Sequence, residues 1–225
     1  GLANDLERCI RFLEVGFKRE LKGIGIDLAA GNLWTVPYLF NLGKIDRLYC
    51  LEYSKHRLLK IGPRLLEHYN VQKSKIILVY GSFYDLHIEN SSLDFVFLSS
   101  AFHHADKPDK LLSEIRRVLK AKGVVVIIGE HIVNCSKVYL NNAIKFFIST
   151  FIPHKIQRGV FKKTFGVKTL FPQLGQLLPP DSILGDHYYT IIEYRSLFLK
   201  HGFKIKHLRN QNSQFQSFVL VNKNE

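Results

Sequence analysis

Short apolar runs rich in β-branched residues alternate along much of the chain with stretches whose apolar positions recur every three or four residues. Leu6, Ile10, Leu13 and Phe17 have helical spacing between charges, which predicts an amphipathic leading helix up to about Leu21. Gly23 to Asp27 then reads as a strand ending in an acid, followed by the small-residue turn Leu28-Ala29-Ala30-Gly31-Asn32. Trp34 to Leu42 predicts a helix with Pro37 in its first turn. Ile45 to Glu52 is a second strand that again ends in an acid. Ser54 suits the N-cap of a helix reaching about Tyr69, bent at Gly62-Pro63.

Lys75–Tyr80 and Leu93–Ser100 predict a third and a fourth strand. The stretch Asp106–Lys120 is an amphipathic helix with Leu111, Leu112, Ile115, Val118 and Leu119 on one face. Gly123 is expected to stop that helix before a fifth strand, Val124–Ile128. Continuous apolar strands separated by helices imply a parallel sheet covered on both faces, an α/β protein. The alternation lapses after Glu130 and resumes with a helix at about Thr190–His201 and an antiparallel closing pair, Phe203–Leu208 and Phe215–Asn222. The 225 residues thus divide into a leading helix (1–21), a core (22–131), a cap or insertion (132–189) and closing elements (190–225) of one domain.

Composition narrows the class. Hydrophobic residues at 46% and charged residues at 23%, with 17 Phe and 10 Tyr, describe a folded globular chain rather than a disordered one. The net charge of +13 suggests an anionic partner but does not choose one. Much of it is scattered over predicted helix surfaces. The concentrated part is Lys155 to Lys168, interleaved with Phe161 and Phe165. Cys9, Cys50 and Cys135 are too scattered for a disulfide framework or a structural zinc site, and free thiols are expected. The first residues lack a signal-peptide pattern, and no run is long and apolar enough to span a membrane, so a cytoplasmic protein is expected.

In an open parallel sheet, ligands sit beyond the carboxyl ends of the strands. Asp27, the following turn and Glu52-Tyr53 occupy such ends. Small residues allow close backbone approach, and an acid about twenty residues further on can accept hydrogen bonds from ribose hydroxyls. These signals point to a cofactor containing a nucleoside. DLAAGNLW has a single glycine, with Leu33 where a pyrophosphate would need backbone access, which argues against a dinucleotide.

GIGIDLAAGN resembles motif I of the class I S-adenosylmethionine-dependent methyltransferases, and LYCLEYS resembles their second-strand acidic motif. YGSFYDL and the stretch from Ser91 to Ile127 are similar to their sequence through the fifth strand, and GDHYYTIIEYRSLFLKHGFKI to the entry of their last helix. The flavour is that of the small-molecule enzymes related to quinone-biosynthesis and arsenite methyltransferases. The resemblance implies a Rossmann-like, seven-stranded, mostly parallel sheet with an antiparallel last strand, here carrying a helical cap insertion. It also implies S-adenosyl-L-methionine as cofactor and S-adenosyl-L-homocysteine as product. On this reading Asp27 orients the methionine ammonium, and Ala29 and Gly31 give backbone approach. Glu52 takes the ribose hydroxyls, and Tyr53 packs on the adenine. Ser82 and Phe83 lie at the adenine edge, and Ser99 lines the methionine end. Ala29, Leu33 and Ser82 depart from the family's usual Gly, Gly and Asp.

Methyl transfer from a sulfonium is an in-line displacement that asks mainly for alignment and exclusion of water. A protonated acceptor also needs a base, for which His104, His131, His187 and Tyr189 are the candidates. Adjacent histidines such as His103-His104 rarely converge on one ion, and no metal is expected. The favoured acceptor is a small molecule, lipophilic or anionic. The run Val138–Ile152 suits such an acceptor, a membrane surface, the core or a homodimer contact. The alternatives are an RNA methyltransferase using the basic segment 155–168, and a non-catalytic protein that binds the cofactor or a partner.

Overall fold

The computed structural model describes residues 1–132, 186–187, 189–208 and 215–223. The expected cap, with the run Val138–Ile152, the basic segment 155–168 and Cys135, lies outside the described residues apart from its margins.

Seven strands form one sheet: β1 (Lys22–Leu28), β2 (Lys44–Glu52), β3 (Ile76–Tyr80), β4 (Leu93–Ser99), β5 (Leu119–His131), β6 (Phe203–Leu208) and β7 (Phe215–Asn222). Their order is β3-β2-β1-β4-β5-β7-β6. The first five are mutually parallel, while β7 runs antiparallel to both β5 and β6. The strand order reverses direction at β1, so the crevice between the ends of β1 and β4 is the switch point where an α/β sheet accepts a ligand. Asp27 on β1 pairs in register with Phe97 on β4.

Successive residues of a strand point to opposite faces, and the two cores follow that rule. Phe95, Phe97, Val126 and Ile128 face the side covered by α1 (Leu2–Gly16), α2 (Thr35–Leu42) and α3 (Gly62–His68). Val96, Leu98, Val125 and Ile127 face α4 (Pro108–Val118) and the last helix, α5 (Ile191–Lys200). Tyr194 and Phe198 of α5 are completely buried there with Phe102, Phe203 and Phe218. A capping box starts α5: Thr190 Oγ1 accepts from the Glu193 amide (3.2 Å), and Glu193 returns a carboxylate oxygen to the Thr190 amide (2.7 Å).

Three element boundaries differ from the sequence-based expectation. The leading helix stops at Gly16, because Lys18 turns left-handed (φ 51°) and the Arg19 amide returns to the Leu13 carbonyl (2.9 Å). The bend near Gly62-Pro63 is a π-helical turn over Arg57–Ile61, since Pro63 has no amide to continue the ordinary ladder. Gly123 does not end α4; the helix stops at Val118 and β5 begins at Leu119, paired with Leu93. The register then jumps to Phe95 opposite Val124, so 120–123 form a bulge on the strand.

Gly25 shows why β1 and β4 can lie so close. A Cβ there would stand 2.1 Å from the ring of Phe95, which is fully buried. We expect Gly25→Ala to displace that ring and destabilise the protein by about 1–3 kcal/mol, as overpacking does. Urea unfolding measures this, and a midpoint equal to the parent's would contradict it.

Candidate active site

Beyond the ends of β1, β2 and β4 the chain forms two cavities. The first, of about 500 Å³, is lined by Asp27, Gly31, Glu52, Arg57, Ser99 and His104 among others. The second, of about 350 Å³, is lined by Tyr53, Ser82, Phe83, Tyr84 and Asp106. Ala29 and Glu52 line both.

The turn after β1 is held in unusual backbone. Ala29 (φ 57°), Gly31 (φ 57°) and Leu33 (φ 65°) are all left-handed. The two positions where the family usually has glycine therefore keep glycine-like geometry while carrying side chains. Left-handed backbone costs about 1–2 kcal/mol at a residue with a Cβ. Leu33 is fully buried, with its side chain over Gly62, and burying a leucine contributes about 1.5–3 kcal/mol, enough to offset that cost. At Gly31 a Cβ would meet nothing within 4 Å, so the backbone there is open to the cavity.

Glu52 ties the turn to the second strand. Its Oε2 accepts from the Gly31 amide (2.8 Å) and its Oε1 from the Ser54 amide (2.7 Å). A carboxylate has about four lone-pair sites, so both oxygens retain acceptor capacity. Tyr53, next along, is 75% exposed and stacks on Tyr80 at the mouth of the second cavity. Ser82 Oγ accepts from the Tyr84 amide (3.3 Å), so this hydroxyl closes its own turn. Asp106 supplies a carboxylate to the same cavity while one of its oxygens lies 2.9 Å from His187 Nε2.

Asp27 is the most constrained group. It has no exposed surface; Oδ2 accepts from the Thr35 hydroxyl, and Oδ1 has no partner. Burial pushes its pKa up to about 7, partly opposed by the Thr35 hydrogen bond and reinforced by the nearby charge of Glu52. Ser99 Oγ, on the facing strand, is also buried without a partner. Two such atoms lining one cavity leave a donor and acceptor set that a bound polar group could satisfy.

The structure brings three of the candidate bases to one region. His104 lines the first cavity, half-exposed, with Nδ1 3.0 Å from Asp186 Oδ1. His131 packs against Phe215 and His103. His187 follows Asp186, and its amide donates to the His103 carbonyl (2.8 Å). Burial and the neighbouring His103 lower the pKa of both His104 and His131. Tyr189 packs among Phe102 and Tyr194, where burial pushes its phenol up to about 12. Thr35, Glu130 and Asp186 were not singled out from the sequence as site residues. The first opens α2, across the turn from the end of β1, and the other two act only through residues distant in the chain.

Residues 26–127 match the family model described as a methyltransferase domain. No curated protein sequence matches the chain. Among solved structures, it resembles a chain of the complex between the Haloferax volcanii Trm112 methyltransferase activator and a candidate methyltransferase. The TM-score is 0.60 at 16% identity, over 98% of this chain and 95% of that one. The YcgJ protein of Bacillus subtilis is similar at TM-score 0.60 and 12% identity, over 95% of this chain and 94% of that one. A SAM-dependent methyltransferase from Aquifex aeolicus gives 0.55 at 13% identity, over 97% and 96%. The chain therefore has the Rossmann-like methyltransferase fold, and the match to the methyltransferase-domain model falls on its first five strands. No helix among the described residues is long and apolar enough to cross a membrane.

Because the folded-state pKa of Asp27 is raised from 3.8 to about 7, the folded protein holds this proton more tightly than the unfolded chain. Ionising Asp27 therefore removes stability as pH rises between those values. Asp27→Asn is expected to stabilise the ligand-free protein by about 1 kcal/mol or more at pH 8, with a smaller gain at pH 5. Urea unfolding at the two pH values measures it; a difference independent of pH would contradict the assignment.

Proposed function

We propose that this chain transfers a methyl group from S-adenosyl-L-methionine to a small-molecule acceptor. The observation that carries the reading is the buried, half-satisfied carboxylate of Asp27, facing a cavity at the switch point of a methyltransferase fold. An uncompensated buried charge is costly, and a ligand ammonium is the group that would satisfy Asp27 Oδ1. Arg57 and Ser99 line the same cavity and suit the carboxylate of the cofactor's amino-acid end. Glu52 would accept from the ribose hydroxyls with its remaining lone pairs. The exposed face of Tyr53, with Phe83 and Ala29 also lining the second cavity, offers the adenine a stacking surface. Asp106 is the acid available at the adenine edge where Ser82 supplies none.

The cofactor, when bound, supplies an electrophilic methyl on a cationic sulfur. The chain's own residues bind, align and exclude water. Asp27 and Glu52 anchor the two ends of the ligand, and the left-handed turn from Ala29 to Leu33 holds the backbone between them. His104 is the candidate base by position, since it lines the cavity beyond the end of β4 and is half-exposed. The quinone or arsenite-like subgroup rests on the sequence resemblance.

Calorimetry with S-adenosyl-L-homocysteine tests the reading. We expect binding by the parent protein and at least tenfold weaker binding by Asp27→Ala and by Glu52→Ala, as loss of a charge-assisted hydrogen bond implies. Unchanged affinity in both variants would refute the assigned roles. Transfer of labelled methyl to RNA, lost steeply with salt, in place of transfer to small molecules would overturn the acceptor class.

A further inference from the structure

At the ends of β4 and β5, beside the cofactor cavity, lies a cluster that methyl transfer as described above does not use. Its centre is Glu130, which has no exposed surface. Glu130 accepts from the amides of Ala101 (3.2 Å), Phe102 (3.1 Å) and His103 (3.1 Å), and from the Tyr194 hydroxyl (3.0 Å). It also holds His103 through Nδ1 at 2.9 Å. That bond fixes the ring and leaves Nε2 turned towards Asp186, 3.9 Å from its Oδ1. His131 follows Glu130 in the chain, and its ring meets that of His103 at 5.2 Å between centroids.

One donor atom from each of His103, His131 and Asp186 lies within 4.8 Å of the other two. Around a tetrahedral zinc ion, with bonds of about 2.0–2.2 Å, donors stand about 3.3 Å apart, so small side-chain rotations close the set. Two imidazoles and one carboxylate are a donor set suited to a borderline divalent ion. A carboxylate on the far nitrogen of a ligating histidine is the usual orienting partner, and Glu130 occupies that place on His103. Among the described residues, the ion pairs of Glu130 and Asp186 are with histidines alone, so no Lys or Arg neutralises these two acids.

We propose that His103, His131 and Asp186 bind a divalent transition-metal ion of the Zn²⁺ class, with Glu130 as the positioning residue behind His103. The ligands come from three segments: the turn after β4, the end of β5 and the return before α5. The competing account is that His103 simply carries a proton between the two carboxylates; burial opposes that charge, but Glu130 and Asp186 outweigh it. Asp186 Oδ1 also lies 3.0 Å from Nδ1 of His104, which lines the cofactor cavity, but the site includes neither of that cavity's anchors, Asp27 and Glu52, so metal uptake is read independently of the methyltransferase reading.

The test is equilibrium dialysis of the full chain, free of any histidine tag, against Zn²⁺ at pH 7.5, with Co²⁺ as a spectroscopic probe. We expect one equivalent of metal per chain and a visible Co²⁺ ligand-field band. His131→Gln and Asp186→Asn, both at partly exposed positions, should each weaken Zn²⁺ binding at least tenfold while circular dichroism shows the parent fold. Uptake well below one equivalent by the unmodified protein overturns the proposal, whether or not either variant folds. Stoichiometric uptake left unchanged by both substitutions also overturns it, because the ion would then lie elsewhere.

Discussion

A carboxylate removed from water must be paired, hydrogen-bonded or neutralised, and Asp27 is only partly any of these. One oxygen is held by Thr35 and the other faces the cavity without a partner. The surrounding structure serves to keep it there. Phe97 and Cys50 flank it in register on the neighbouring strands, and α2 brings Thr35 back over it. Gly25 lets the Phe95 ring close the sheet beneath. The left-handed turn then carries the chain across to Glu52, so two acids from two strands bound one ligand space. This arrangement sacrifices stability in the ligand-free protein for a charge ready to meet a cation.

A second buried carboxylate, Glu130, organises the other half of the active end. Asp27 has one hydrogen-bond partner, whereas Glu130 gathers three amides, a tyrosine hydroxyl and an imidazole. It thereby joins the turn after β4 to α5, across the strand that carries it. The contrast separates their roles: a carboxylate satisfied by its own chain positions its neighbours, and one left short of partners waits for a ligand.

Most of the fold was legible because strands buried on both faces leave a strong trace. The runs KIILVY, LDFVFL and VVVII could hardly be anything else, and the pair Phe203–Leu208 and Phe215–Asn222 closes the sheet as expected. Boundaries failed where backbone geometry outweighed residue type. Gly123 looked like a helix stop, yet the pairing of Leu93 with Leu119 pulls the chain into strand four residues earlier. Asp27 and Glu52 were readable as strand-end acids. Thr35 was not, because a hydroxyl at the first residue of a helix carries no sign of its partner. Asp186 was beyond reach for a different reason: its neighbours His103 and His104 lie about eighty residues away, and only the closed sheet brings them together. Leu33 looked like a loss of the glycine pattern; the structure shows the same left-handed backbone stabilised by burial of the side chain.

The central claim is that the charge of Asp27 is reserved for a ligand ammonium. Its most direct measurement is the affinity for S-adenosyl-L-homocysteine between pH 5.5 and 8, set against the affinity for adenosine, which lacks the amino-acid end. With the pKa of Asp27 pushed up to about 7 in the ligand-free protein, acidification must protonate the group that the ammonium needs. The account predicts that affinity for S-adenosyl-L-homocysteine falls below pH 7, approaching tenfold per pH unit, while adenosine binding stays flat. A flat profile for both ligands, or one shared by both, would contradict it.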